Sequence, residues 1–181
     1  MSLEKYRYRI NALAIISSSA FAGATLFIGL SMGTYWMDLA PLDFLTAFTP
    51  QFESFLFTIM PLFLLTLMGL ILSARLDWKD PDVKRSWQIA IGFYVLTSLI
   101  TLGFHMPENL RLLAGEYSAE QADAARTYWL AGHVPRVIVS FGIPLFAFRA
   151  VQKQANKSAA ERGRRHRHLP KIAEEADSGA A

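Results

Sequence analysis

Long apolar runs dominate the chain, and the polar residues fall mainly between them. Four such runs stand out, at 10–32, 55–74, 87–105 and 127–150. Each is about 20 residues long, which as a helix crosses roughly 30 Å of hydrocarbon. Lipid offers no partner for a free backbone group, so a spanning segment of this kind is helical. The pattern predicts an all-α integral membrane protein: an antiparallel four-helix bundle over residues 1–151, followed at 152–181 by a basic tail too polar to bury and expected to be disordered.

The joints between the runs carry their own signals. Thr34 to Glu53 is too polar to span, yet holds Tyr35, Trp36, Phe44, Phe48 and Phe52 among acids. That composition suits headgroup depth, so a short interfacial helix across the outer mouth of the bundle is expected there. Asp80-Pro81-Asp82 reads as a turn with an N-cap. Pro107 opens a short outer helix that Gly115 stops, and Ser118 with Gln121 forms a capping box ahead of the last run. Pro61 predicts a kink in the second run. In the first run, Gly29 and Gly33 are four apart, a spacing that lets helix backbones approach closely.

Charge sets the expected topology. Lys5, Arg7 and Arg9 precede the first run, and Arg75, Lys79, Lys84 and Arg85 fill the second joint. The joint between runs one and two has no Lys or Arg, and basic residues recur from Arg149 to Lys171. Positive-inside asymmetry puts both termini in the cytoplasm, and the expected location is a bacterial inner (plasma) membrane. Ala20-Phe21-Ala22 resembles a signal-peptide cleavage site, but the apolar run continues through Leu30, too long for such a segment. The cluster RGRRHRH is expected to lie on anionic lipid headgroups; a lone basic run without a fold is too unspecific to suggest nucleic acid.

Composition narrows the chemistry. Of the 181 residues 52% are hydrophobic and 18% charged, and there is no cysteine, which excludes disulfides and thiolate metal sites. No P-loop, dinucleotide loop or serine elbow is present. The candidate chemistry lies instead in the fourth run, where Trp129, His133, Arg136 and Ser140 follow one another at i, i+4, i+7 and i+11 on one helical face.

An arginine two turns inside an apolar span costs at least about 2.5 kcal/mol and needs compensation. One reading is an ion pair with Glu53 or Glu108 that locks the bundle; the other is a functional cation. His133 likewise reads either as an interhelical packing group or as a site residue. The end of the third run brings His105, Glu108 and Asn109 to the same membrane face, where all could line one pocket with Trp129, His133 and Arg136. His105, Glu108 and His133 offer two imidazoles and a carboxylate, an alternative metal set that no repeated ligand motif supports. No cofactor is evident.

Phe21-Ala22-Gly23, Pro107-x-Asn109-x-x-Leu112 and Trp129-x-x-x-His133-x-x-Arg136, in that order over roughly residues 15 to 150, resemble the anthrone-oxygenase-like family of small four-helix membrane proteins. The resemblance implies an oxygenase that converts an anthrone to an anthraquinone with dioxygen and without an evident bound cofactor. It carries over Asn109, Trp129, His133 and Arg136. His133 would be the base that removes an activated C–H proton, and Arg136 would stabilise the enolate. Trp129 would stack on a planar ring and Asn109 would supply a hydrogen bond; His105, an addition to the family pattern, is a further candidate for the substrate-binding wall. The expected partner is a small lipophilic substrate delivered by the bilayer. The alternative from a different class is a non-catalytic membrane subunit or scaffold whose polar stripe serves packing or partner binding. A transporter is disfavoured because no internal repeat is evident.

Overall fold

The structure is a computed structural model that describes the backbone of residues 3–178 and the side chains of residues 5–164. Every regular element among the described residues is helical. Helix α1 spans Arg7–Phe27 and passes through a π-helical turn, Ile28–Met32, into α2, Gly33–Asp38. Helix α3 spans Pro41–Leu76 and α4 spans Pro81–Ile100; a second π-helical turn, Thr101–His105, joins α4 to α5, Met106–Ala114. Helix α6 begins at Ala119 and ends at Ser178. Four of the resulting helical stretches, Arg7–Asp38, Pro41–Leu76, Pro81–Ala114 and Ala119–Arg164, are long and apolar enough to cross a membrane, as in a multi-pass integral membrane protein.

Local chemistry explains where these helices begin and end. Asp80 is the N-cap of α4, its carboxylate accepting from Asp82 N at 3.1 Å and Val83 N at 3.2 Å. The Ser118–Gln121 capping box forms in both directions, at 2.9 and 3.3 Å. Gly115 ends α5 with φ 69°, the left-handed conformation that glycine adopts without a Cβ penalty.

The segment Thr34–Glu53 departs from expectation. It splits at Leu39 and Ala40, and from Pro41 onward it forms the first turns of the 36-residue α3 rather than a separate interfacial helix. The reason lies in the aromatic spacing. Phe44, Phe48 and Phe52 recur every four residues, so as a helix they turn one face inward onto Trp36. The last segment also differs at its start, because residues 152–164 continue α6 and carry Lys153 and Lys157 to the α4 N-terminus. The backbone of the tail where disorder was expected continues α6 as far as Ser178; the side chains from 165 onward, which include most of RGRRHRH, and residues 179–181 lie outside the described residues.

Contacts between helices run in opposite chain order. Asn11 meets Gln154 while Thr25 meets Ser140, and Phe93 stacks on Phe146 while Phe104 lies against Gly132. Lipid provides no hydrophobic drive for helix pairing, so close backbone approach must supply the attraction. A Cβ placed on Gly69 would stand 2.7 Å from the Ala14 backbone, which shows how tightly α1 and α3 meet.

Two apolar cores form. One gathers Ala14, Leu70, Trp87, Tyr94 and Ile143, and the other gathers Ile28, Trp36, Phe44, Phe48, Leu112 and Trp129. The first ends in a polar knot: buried Asp77 accepts from Trp87 Nε1 at 2.7 Å and pairs with Arg7. The second ends where buried Arg126 donates to the Trp36 and Leu39 carbonyls, capping α2, and pairs with Asp123. These are called the Asp77 end and the Trp36 end below.

Candidate functional site

Between the two cores, α6 presents Trp129, His133, Arg136 and Ser140 inward, as their spacing predicts. Trp129, His133 and Ser140 are buried, and the Ser140 hydroxyl meets Thr25 Oγ1 at 3.1 Å. Trp129 and His133 stack with ring centres 4.9 Å apart and planes 13° from parallel, the arrangement that an i, i+4 pair of flat rings allows.

His133 is held at both nitrogens. Its Nε2 lies 2.8 Å from the Thr25 carbonyl, and its Nδ1 lies 2.8 Å from Arg136 Nη2. Neither partner leaves a choice: the carbonyl only accepts and the guanidinium only donates. The imidazole is therefore the neutral Nε2–H tautomer, with its basic lone pair directed at Arg136. Gly29 makes this approach possible, because a Cβ there would lie 2.9 Å from His133 Cδ2.

Arg136 finds no carboxylate. Among the described residues none stands within ion-pair distance of it; Glu108 pairs with Arg111 at 3.4 Å instead, and Glu53 is exposed. The alternative reading of Arg136, an ion-pair lock through Glu53 or Glu108, does not form among the described residues. The guanidinium carbon lies 5.8 Å from the Trp129 ring centre, a cation–π contact, and Nε is buried without a hydrogen-bond partner among the described residues.

Asn109, on α5, accepts from Trp129 Nε1 at 2.7 Å through its Oδ1. That bond fixes the orientation of the amide and leaves Nδ2 as a donor with no hydrogen bond among the described residues. His105, in the second π-helical turn, is fully buried. Its ring centre is 4.9 Å from that of Trp129 and 5.5 Å from that of His133, and neither of its nitrogens has a hydrogen-bond partner among the described residues.

Beside this cluster lies a cavity of about 190 Å³. Its wall is almost wholly apolar, from Phe21 and Ile28 on one side to Phe55, Ile59 and Phe63 on another. Asn109, Trp129 and Arg136 line it; His105 and His133 do not, and stand behind the Trp129 ring and the Arg136 guanidinium. The five sequence candidates are therefore contiguous, but only three face the space a ligand would fill.

His105, Glu108 and His133 do not form the alternative metal set. No group of three His, Asp or Glu close enough to hold an ion occurs among the described residues, because Glu108 turns to Arg111 and both His133 nitrogens are engaged. Sequence reasoning missed Thr25 and Gly29 as the partners of His133. The G-x-x-x-G spacing that includes Gly29 was the available signal, since a glycine kept inside a span marks close approach. Comparison with protein-family models, curated proteins and solved structures finds no match to this chain.

Proposed function

We propose that the chain is an antiparallel four-helix membrane protein with cytoplasmic termini and an oxygenase-like activity on a small lipophilic, ring-containing ketone. The observation that carries this reading is Arg136: a cation without a counter-ion among the described residues, in the wall of an otherwise apolar cavity. Such a group is costly in a span unless something anionic, or something that becomes anionic, meets it. The resemblance carried by Trp129, His133 and Arg136 supplies the chemistry, dioxygen acting on an anthrone-like methylene.

The hydrogen-bond chain suggests how the two steps couple. A substrate carbonyl that accepts from Arg136 draws the guanidinium off His133 Nδ1 and frees that lone pair. Uncovered by that movement of Arg136, His133 takes the proton from the methylene that the carbonyl acidifies across the ring, keeping its Nε2–H on Thr25, while Arg136 holds the enolate oxygen. The electron-rich carbon adds dioxygen, a proton returns to give a hydroperoxide, and loss of water leaves a second carbonyl. One methylene and one dioxygen give one carbonyl and one water. Asn109 Nδ2 is a second donor at the cavity wall, and the basic tail anchors the cytoplasmic end to anionic headgroups.

A second reading has its own observation. His133 is fully satisfied within the protein and seated against Gly29, as expected of a packing residue in a scaffold subunit. Dioxygen uptake separates the two. The purified protein given anthrone should consume one dioxygen per anthraquinone formed, and His133→Gln should reduce the rate at least ~100-fold, the usual worth of a general base. Wild-type protein without anthrone-dependent uptake, or His133→Gln with unchanged rate, would sink the oxygenase reading.

A further inference from the structure

Resting on the reading of Arg136 as a receptor for negative charge, the geometry points to a lateral entrance. The cavity opens to the bilayer between α3 and α4, and it takes a membrane-dissolved lipophile of about one ring that carries a single oxyanion.

The ends of the cavity are closed. Toward the Asp77 end Phe63 stacks on Tyr94 at 4.5 Å and shuts the space between α3 and α4. Toward the Trp36 end, Trp36, Phe48 and Phe52 form a continuous aromatic layer, and Arg126 holds the chain there through the last carbonyls of α2. The side is different. Leu56, Met60 and Leu102 line the cavity, and yet they are 37%, 46% and 65% exposed. Here one layer of side chains separates the cavity from the surroundings. All three are flexible and apolar, so a lipophile passes them readily, whereas a hydrated polyanion would have to shed its water first.

The polar groups of the wall select the ligand's charge. The hydroxyls of Ser98 and Thr101 also line the cavity, but each donates its hydrogen to its own helix, to Tyr94 O at 2.8 Å and Thr97 O at 2.9 Å. Trp129 gives its only N–H to Asn109. The unused donors are therefore on Asn109 Nδ2 and Arg136, and they call for an acceptor, best a charged one. Volume sets the size. A dry apolar cavity of about 150 Å³ suffices for benzene, so about 190 Å³ holds one ring with its acidic group. A longer body would project between α3 and α4 into lipid.

The test uses the full chain in phosphatidylcholine nanodiscs with two probes, 4-(trifluoromethyl)benzoate and the neutral 4-(trifluoromethyl)toluene, followed by fluorine NMR. Wild type should favour the benzoate by about tenfold, and Arg136→Gln should remove that preference while leaving the neutral probe's affinity in place. Met60→Trp with Leu102→Trp, which thickens the side wall, should slow exchange of both probes severalfold. A helical circular-dichroism melt establishes that each variant is folded. Equal affinity for the two probes in wild type overturns the charge assignment. Unchanged exchange in the double tryptophan variant overturns the lateral entrance, and faster exchange on Phe52→Ala would place the route at the Trp36 end. Binding is read without turnover, so probe selectivity with no anthrone oxidation would defeat the oxygenase reading alone.

Discussion

Nδ1 of His133 receives a hydrogen bond from Nη2 of Arg136 at 2.8 Å, so a basic lone pair in the centre of the bundle and a cation that no described carboxylate pairs satisfy each other. The imidazole cannot accept a proton while this bond stands, and Arg136 cannot give this donor to a ligand while it stands. Arrival of an acceptor in the cavity releases both.

Replacing Arg136 by methionine should cost less than breaking a buried ion pair. A broken pair typically costs about 3–5 kcal/mol, whereas here no described carboxylate is orphaned; a neutral acceptor, His133 Nδ1, loses its donor, worth about 1–3 kcal/mol and offset by removal of the buried charge. Thermal melting of Arg136→Met should stay close to wild type, with the preference for the charged probe lost. A melt lowered by the penalty of a broken ion pair would show that a counter-ion had been overlooked.

Gly29 and Gly69 should differ in how badly they tolerate alanine. A Cβ at Gly29 meets His133 side-chain atoms at 2.9 and 3.3 Å, whereas one at Gly69 meets the Ala14 backbone at 2.7 Å. A side chain yields more readily than a backbone. Gly29→Ala should cost about 1–3 kcal/mol through overpacking and should displace the imidazole from Thr25. Gly69→Ala should cost more, since α1 and α3 must separate. Unfolding in a denaturing detergent orders the two.

Asp77 should be the most sensitive acid among the described residues. It is buried, and both the Trp87 indole and Arg7 depend on it. Asp77→Ala leaves the buried Trp87 N–H without its acceptor and removes one of the partners of Arg7, with an expected loss of about 1–3 kcal/mol. The same substitution at exposed Glu53 should change stability by less than about 0.5 kcal/mol. Comparable melts for the two would contradict the assignment of Asp77 as the tie between α1, α3 and α4.

Acid should loosen the α4 N-terminus within a defined window. The Lys157 ammonium beside Asp80 holds that carboxyl below its ordinary value of 3.8. The folded state thus favours the ionised form. Its contribution is fully present above 3.8 and is lost as pH falls through the lower folded value. Hydrogen exchange of the first turn of α4 should be protected equally at neutral and mildly acidic pH and weaken only below the ordinary value. Asp80→Asn should flatten that profile; a transition at neutral pH would point to another group.

Much of this was legible in the chain. The four spans, the Ser118–Gln121 box and the Gly115 stop follow from residue chemistry alone, because each is settled within a few residues of sequence. The inward stripe on α6 follows from spacing. What was not legible depends on neighbours distant in sequence. Phe44, Phe48 and Phe52 suit headgroup depth in isolation; only with Trp36 and Trp129 in place do they become a packed layer. Arg136 needed compensation, and the acids at the expected face suggested an ion pair. The structure satisfies it instead through His133 and the Trp129 ring, which are also on α6. The π-helical turns at Ile28–Met32 and Thr101–His105 leave no sequence mark, yet they carry Gly29 and His105 into the site.

The most direct measurement is nitrogen NMR of ¹⁵N-histidine-labelled protein in nanodiscs, with His133 assigned by its loss in His133→Gln. Without ligand, His133 should be a single neutral tautomer, protonated at Nε2, with Nδ1 hydrogen-bonded. Saturation with 4-(trifluoromethyl)benzoate should shift the Nδ1 resonance toward that of a free lone pair as Arg136 turns to the carboxylate. An Nδ1 signal that does not move at saturation, or a tautomer protonated at Nδ1 in the free protein, would contradict the account.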